Sequence, residues 1–204
     1  MADLEGLTQI YVCPTCKGKL AVAGPDQLKC VGCAALYLVK DGIPIFAPLL
    51  IDQFYEQRVW ETELELSPKA PWLDKLIVWF HLTFNINQRR KSFMKRMLKN
   101  KKGLLLDLGC GAGKQFYREV GPVIGLDICL SGLSKARRVY HAVAQADALE
   151  LPFADGLFDF IVSNDLIEHI PAPQKDQLFQ EMWRVLKPGG QLVHEIETMS
   201  ANFW

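Results

Sequence analysis

Apolar and polar positions change rhythm twice along the chain. Up to about residue 48, short β-like runs alternate with the turn residues Gly18-Lys, Ala23-Gly-Pro-Asp and Asp41-Gly, which suits small hairpins. From Asp52 to Asn100 the spacing is helical, with breaks at Ser67-Pro-Lys-Ala-Pro71. From Gly103 onward, apolar runs at 104–108, 123–127, near 142–146, 158–163 and 191–197 alternate with helical stretches at about 113–119, 131–141 and 174–187. Strands alternating with helices predict a parallel sheet covered on both faces, a doubly wound α/β core. Three regions follow: a Cys-rich module over 1–48, a helical connector over 49–102 and a core over 103–204.

Half of the 204 residues are apolar, and 23 Lys+Arg balance 23 Asp+Glu. This composition excludes collagen-like, disordered and disulfide-scaffold chains. Zero net charge provides no global field to draw in nucleic acid or an anionic membrane. The neutrality is nevertheless a sum of unlike parts: 7 basic and 10 acidic residues in 1–88, 8 and none in 89–102, 8 and 13 in 103–204. The amino terminus, Met1-Ala-Asp-Leu-Glu-Gly, lacks the basic and apolar regions of a signal peptide. The longest apolar stretch, Leu76 to Phe84, is far short of the roughly 20 residues that span a bilayer. A cytoplasmic chain with reduced cysteines and no transmembrane segment is the expectation.

Cys13-Pro-Thr-Cys16 and Cys30-Val-Gly-Cys33 are two CxxC pairs separated by 13 residues. Four thiolates on two tight knuckles can close a tetrahedral site around Zn²⁺, and so small a module has little core without such a staple. Two redox dithiols, or four unrelated buried thiols, are the alternatives. Four thiolates leave no open coordination position, so the metal would be structural. The flanking segments Tyr11 to Leu20 and Leu36 to Phe46, ending in Tyr37-Leu-Val-Lys-Asp-Gly-Ile-Pro44, resemble the small zinc-ribbon proteins that act as stabilising partners of methyltransferases. The resemblance implies a fused partner module with no chemistry of its own.

Leu104-Leu-Leu-Asp-Leu-Gly-Cys-Gly-Ala-Gly113 is an apolar strand running into a glycine turn. Glycines there admit close backbone approach to a ligand, and a following helix would offer its N-terminus to a polar or anionic group. Eighteen residues beyond Gly109, the next strand ends in Asp127, placed to accept from a ribose. A dinucleotide fingerprint would require a third glycine where Lys114 stands, and no GK[ST] phosphate loop is present. Glycines at 109, 111 and 113 with Asp107 resemble the first motif of class I S-adenosylmethionine-dependent methyltransferases. The likeness continues through Gly125 to Ser131, Ala146 to Asp155, Phe158 to Ile170 and Arg184 to Gly190.

That resemblance implies a Rossmann-like methyltransferase sheet and S-adenosyl-L-methionine as cofactor. Its methionine moiety would lie over Asp107, Gly109, Cys110, Gly111 and Gly113, and its ribose on Asp127 beside Ile128. Its adenine would meet Asp147 and the Ala148 backbone, and its sulfonium would lie near Asn164. His169, just beyond the fourth strand with Glu168, is the candidate proton acceptor; the alternative is a histidine that only packs at the start of a loop. Cys110 and Cys129 are expected as small buried residues rather than nucleophiles.

The connector carries a basic stretch, Arg89 to Lys102, with Phe93, Met94, Met97 and Leu98 at helical spacing. It reads as a solvated helix packing an apolar stripe on the sheet, with an anionic-substrate or RNA patch as the alternative. The aromatic stretch Trp72 to Phe84 is expected to pack in the core, or to form a lid or membrane-surface helix. The family's sheet has seven strands, whereas five are countable here, so the expectation is either a C-terminally truncated core or an open fifth edge that a second copy or a partner covers. A small-molecule or lipid-like methyl acceptor is the leading expectation; an RNA acceptor and a non-catalytic scaffold are the alternatives.

Overall fold

The computed structural model describes residues 3–47, 72 and 86–195. Every position of β5 (Leu105–Leu108) is buried, as a strand covered on both faces requires. It lies parallel to β6 (Val123–Asp127) on one side and β8 (Phe158–Asn164) on the other. Outside these, β6 pairs with β7 (Ala142–Gln145) and β8 with β9 (Leu186–Glu195), also in parallel. The order β7-β6-β5-β8-β9 is doubly wound, and its direction of progress reverses between β5 and β8. Ligands of such sheets bind at that switch point, beyond the carboxyl ends of the strands.

Helices cover both faces. On α4 (Lys175–Val185), Leu178, Met182 and Val185 recur at helical spacing, are fully buried, and join Leu106, Leu108, Phe158 and Ile161 of the sheet in one core. On the other face, Met94 of α2 (Ile86–Met97), Leu98 just after it, and Leu133 and Ala136 of α3 (Leu130–Ala136) pack with Leu105, Val123, Phe160 and Val162. Lys91, Lys95, Arg96 and Lys99 are exposed, so of the expected apolar stripe the basic stretch buries Met94 and Leu98, with Phe93 half-buried and Met97 exposed.

Two expected helices differ. The one expected at 113–119 is a single 3₁₀ turn, Gln115–Glu119, since the preceding residues form the glycine turn and Gly121-Pro122 stops the chain soon after. It supplies no α-helical N-terminus for a ligand, so that expectation is corrected. The stretch expected at 131–141 ends at Ala136, and Val139 and Tyr140 bond back to it through turns.

The Cys-rich segment opens with a helix that the sequence pattern did not announce, α1 (Leu4–Ile10), capped where the Asp3 carboxylate accepts from the Gly6 amide at 2.9 Å. β1 (Leu20–Gly24) and β2 (Gln27–Cys30) form one hairpin. β3 (Leu36–Lys40) and β4 (Ile43–Ile45) form another, closed by Asp41 and Gly42 at φ 51° and 73°, as a tight two-residue turn demands. β4 then runs parallel to β7, with Ile45 opposite Gln145 and the Phe46 amide donating to the Gln145 carbonyl at 2.7 Å. The Cys-rich strands thereby extend the core into one nine-stranded sheet, β1-β2-β3-β4-β7-β6-β5-β8-β9. Among the described residues β9 is the outer strand at the far end, and no helix is long and apolar enough to cross a membrane. The expectations for 73–84 lie outside the described residues; Trp72 is exposed.

Candidate cofactor site and four-cysteine centre

Beyond β5 the chain turns through Gly109, Gly111 and Gly113, all at positive φ (71°, 52° and 79°). At Gly113 a side chain would also be crowded: a Cβ would stand 3.2 Å from the Ala136 Cα and 3.3 Å from the Tyr140 ring. Tyr140 organises this turn. Its hydroxyl donates to Asp107 Oδ2 at 2.5 Å and accepts from the Lys114 amide at 2.6 Å. Asp107 is completely buried, and its Oδ1 has no hydrogen-bond partner among the described residues. Burial raises its pKa, while the Lys114 charge and the Tyr140 hydroxyl pull it down. A buried carboxylate oxygen without a partner is costly, and a ligand that brings an N–H or ammonium donor would satisfy it.

Asp127, at the end of β6, accepts from the Gly111 amide (2.7 Å) and the Cys129 amide (2.8 Å), one on each oxygen. A carboxylate offers about four lone-pair positions, so at least one remains for a ligand hydroxyl. Burial raises this carboxyl as well, opposed by the amides of Cys129, Gly111 and Ile128 and by Lys114. Lys114, the residue that breaks the dinucleotide pattern, is thus a counter-charge for both aspartates.

Asp147 Oδ1 accepts from the Leu149 amide at 2.9 Å, closing a turn beyond β7 in which Ala148 is buried. The buried Gln145 donates to the Ile128 carbonyl at 2.8 Å, so the ends of β6 and β7 are tied. Asn164, at the end of β8, accepts from the Tyr117 hydroxyl (2.7 Å) and donates to Glu195 (2.6 Å). His169 is exposed at the end of a 3₁₀ turn, with its amide donating to the Leu166 carbonyl. Cys110 and Cys129 are buried; burial and the neighbouring aspartates push the Cys110 thiol well up, which keeps it protonated and inert.

The structure therefore draws Asp107, Asp127 and the glycine turn together around Tyr140 and Lys114. Asn164 sits in a second chain with Tyr117 and Glu195, while His169 bonds through its backbone amide to Leu166, outside both groups. Tyr140, Tyr117, Lys114 and Glu195 carry no motif; the absent third glycine at 114 was the single sequence signal.

In the Cys-rich segment the Sγ atoms of Cys13, Cys16, Cys30 and Cys33 lie within 4.8 Å of one another. Cys13 and Cys33 are 3.7 Å apart, Cys16 and Cys30 3.4 Å. Ideal tetrahedral zinc with Zn–S near 2.3 Å separates its sulfurs by about 3.8 Å, so the four fit such an ion. The buried Cys13 thiol is lowered to about 6: burial would raise it, but the Tyr37 hydroxyl (3.0 Å) and backbone amides outweigh that.

A doubly wound sheet with an aspartate–glycine turn at its switch point, and a second aspartate closing that turn from the next strand, is the arrangement in which α/β proteins of this class hold nucleoside ligands. The family described as "Methyltransferase domain" matches residues 106–194, so this segment is similar to methyltransferase domains. A relative from Encephalitozoon cuniculi is 36% identical over 125 residues, covering 58% of this chain and 59% of its own. The demethylmenaquinone methyltransferase of Listeria welshimeri is 32% identical over 161 residues, covering 72% and 65%. A Bos taurus protein named "Probable tRNA methyltransferase 9B" is 40% identical over 94 residues, covering 44% and 20%. The chain spans about three fifths of the length of the first two relatives, 59% and 65%.

Proposed function

We propose that this chain is a methyltransferase that binds S-adenosylmethionine across the carboxyl ends of β5, β6, β7 and β8 and methylates a small-molecule or lipid-like acceptor. The observation that carries the reading is the buried Asp107 oxygen, without a partner among the described residues, beside a glycine turn clamped by Tyr140 and Asp127. In it, Asp107 faces the cofactor's ammonium over Gly109, Cys110, Gly111 and Gly113. Asp127 takes the ribose hydroxyls beside Ile128, Asp147 and the Ala148 backbone take the adenine, and Asn164 lies towards the sulfonium. The cofactor supplies an electrophilic methyl; the protein's part is to hold an acceptor in line with it, which is where most of the rate of a direct displacement arises. His169 is the proposed proton acceptor where the acceptor must lose a proton.

Residues 1–48 are proposed as a structural zinc ribbon, 49–102 as connector and 103–204 as the cofactor core of a cytoplasmic enzyme. The acceptor class is supported by the name of the Listeria relative. Incubation with methyl-labelled S-adenosylmethionine and demethylmenaquinol in lipid vesicles should move label into the organic phase. Label appearing in added tRNA alone would overturn this acceptor.

One observation favours the RNA reading: a cleft of about 600 Å³ is lined by Lys95, Arg96, Lys99, Lys101 and Lys102. That reading requires tRNA affinity that falls steeply with salt and weakens when those residues are neutralised.

A further inference from the structure

The segment after β7 is gripped from two directions. From α4, the Glu181 carboxylate accepts from the Leu151 amide at 2.7 Å, and Arg184 donates to the carbonyls of Leu151 (3.1 Å) and Phe153 (2.7 Å). From the Cys-rich module, Lys17 donates to the Leu151 carbonyl (3.2 Å) and to Glu181 (2.9 Å), and the Val12 amide donates to the Pro152 carbonyl at 3.0 Å.

Lys17 and Val12 both belong to the first cysteine knuckle. Val12 precedes Cys13, and Lys17 follows Cys16 at φ 56° with its amide held by the Cys13 carbonyl at 2.9 Å. A metal that fixes Cys13 and Cys16 therefore fixes the backbone from which Lys17 reaches across. Glu181 is only 14% exposed; burial would raise its pKa, but Arg184 and Lys17 hold it low, so it meets the Leu151 amide as an anion. Leu151 closes the turn that begins at Asp147, whose backbone carbonyl accepts from the Glu150 amide at 3.1 Å.

We infer that Lys17 and Glu181 are positioning residues for the adenine end of the cofactor, so that the four-cysteine centre sets cofactor affinity from outside the cofactor site. The inference rests on the proposed cofactor reading. Lys17 and Arg184 orient the Glu181 carboxylate, Glu181 holds the Leu151 amide, and that bond holds the Asp147–Leu151 turn against the adenine. Without the grip, the turn must be ordered by the ligand itself, which weakens binding.

The test is titration calorimetry of the zinc-loaded full chain with S-adenosylhomocysteine and with its hypoxanthine analogue, in which the adenine amino group is replaced by oxygen. Losing one partly buried ion pair should weaken S-adenosylhomocysteine binding by K17M about fivefold. Zinc content should be unchanged, and K17R should recover most of the loss. The analogue, which forfeits the Asp147 contact already, should lose less than twofold. Chelation should weaken the wild type and add little to K17M; where the chelated chain unfolds, the K17M, K17R and analogue arms decide. Equal losses for both ligands, or wild-type affinity in K17M, would overturn the coupling. A wild type that binds neither ligand would instead refute the cofactor reading and the inference with it.

Discussion

Tyr140→Phe removes one oxygen that holds two partners, Asp107 Oδ2 at 2.5 Å and the Lys114 amide at 2.6 Å. Tyr140 is 6% exposed, so bulk water cannot take over both roles. Losing a hydrogen bond to a charged group removes about 1.5–3 kcal/mol and unpairing the partly buried Lys114 amide up to about 1; sharing one oxygen, they should together amount to roughly 2–4 kcal/mol. For a chain of this size that lowers Tm by roughly 5–15 °C. The loss should also depend on pH, with a definite sign. Burial raises the pKa of Asp107 above its unfolded value, and the Tyr140 bond limits that rise. Without it the carboxyl rises further, so the folded variant holds its proton to higher pH. A carboxyl raised on folding contributes its full share at low pH, where it is protonated in both states, and loses it as pH climbs from about 3.9 through the folded value. The difference in Tm between the two proteins should therefore be smallest near pH 4.5, widen upward and level off once Asp107 is ionised in both. Thermal unfolding from pH 4.5 to 8 measures this directly. A Tm difference under about 2 °C at every pH would refute the role given to this hydroxyl.

Gly125→Ala would place a Cβ 2.7 Å from the Tyr140 ring and 2.9 Å from Cys110 Sγ, both buried, so overpacking should destabilise by about 1–3 kcal/mol in urea unfolding. His194 accepts or donates through Nδ1 to the buried Ser163 hydroxyl at 2.7 Å, and burial lowers its pKa. A histidine depressed on folding contributes stability above its unfolded pKa, near 6.5, and loses it as pH falls below; wild-type stability should decline there, and His194→Phe should flatten the decline. Atomic absorption should find one zinc per chain, lost in Cys13→Ser and Cys30→Ser together with thermal stability; a wild type purified in zinc and holding none would contradict the proposed ribbon.

Much of the core was legible because strands buried on both faces read as uninterrupted apolar runs. Val123–Asp127 matches its expected bounds, and Leu105–Leu108, Ala142–Gln145 and Phe158–Asn164 fall within a residue of theirs. What could not be read was long-range. Tyr140 meets Asp107 across 33 positions, and Lys17 meets Glu181 across 164. A tyrosine in a helical stretch and a lysine in a turn look like any others until the fold brings their partners. The pairing of Ile45 with Gln145, which joins the Cys-rich strands to the core, is one bridge between runs of no distinctive pattern. The 3₁₀ turn at 115–119 shows local geometry prevailing over apparent periodicity: a turn built from positive-φ glycines and a following Gly-Pro leave no room for an α-helix.

The central claim is that the turn between Asp107 and Gly113, closed by Asp127, is a cofactor site. Titration calorimetry with S-adenosylhomocysteine tests it most directly. The folded wild type should bind one equivalent. Asp127→Ala, which removes the caps on the Gly111 and Cys129 amides together with the ribose acceptor, should bind about 30-fold or more weakly, as expected for losing at least about 2 kcal/mol. Heat of binding absent from a folded, zinc-loaded wild type, or undiminished in Asp127→Ala, would contradict the account.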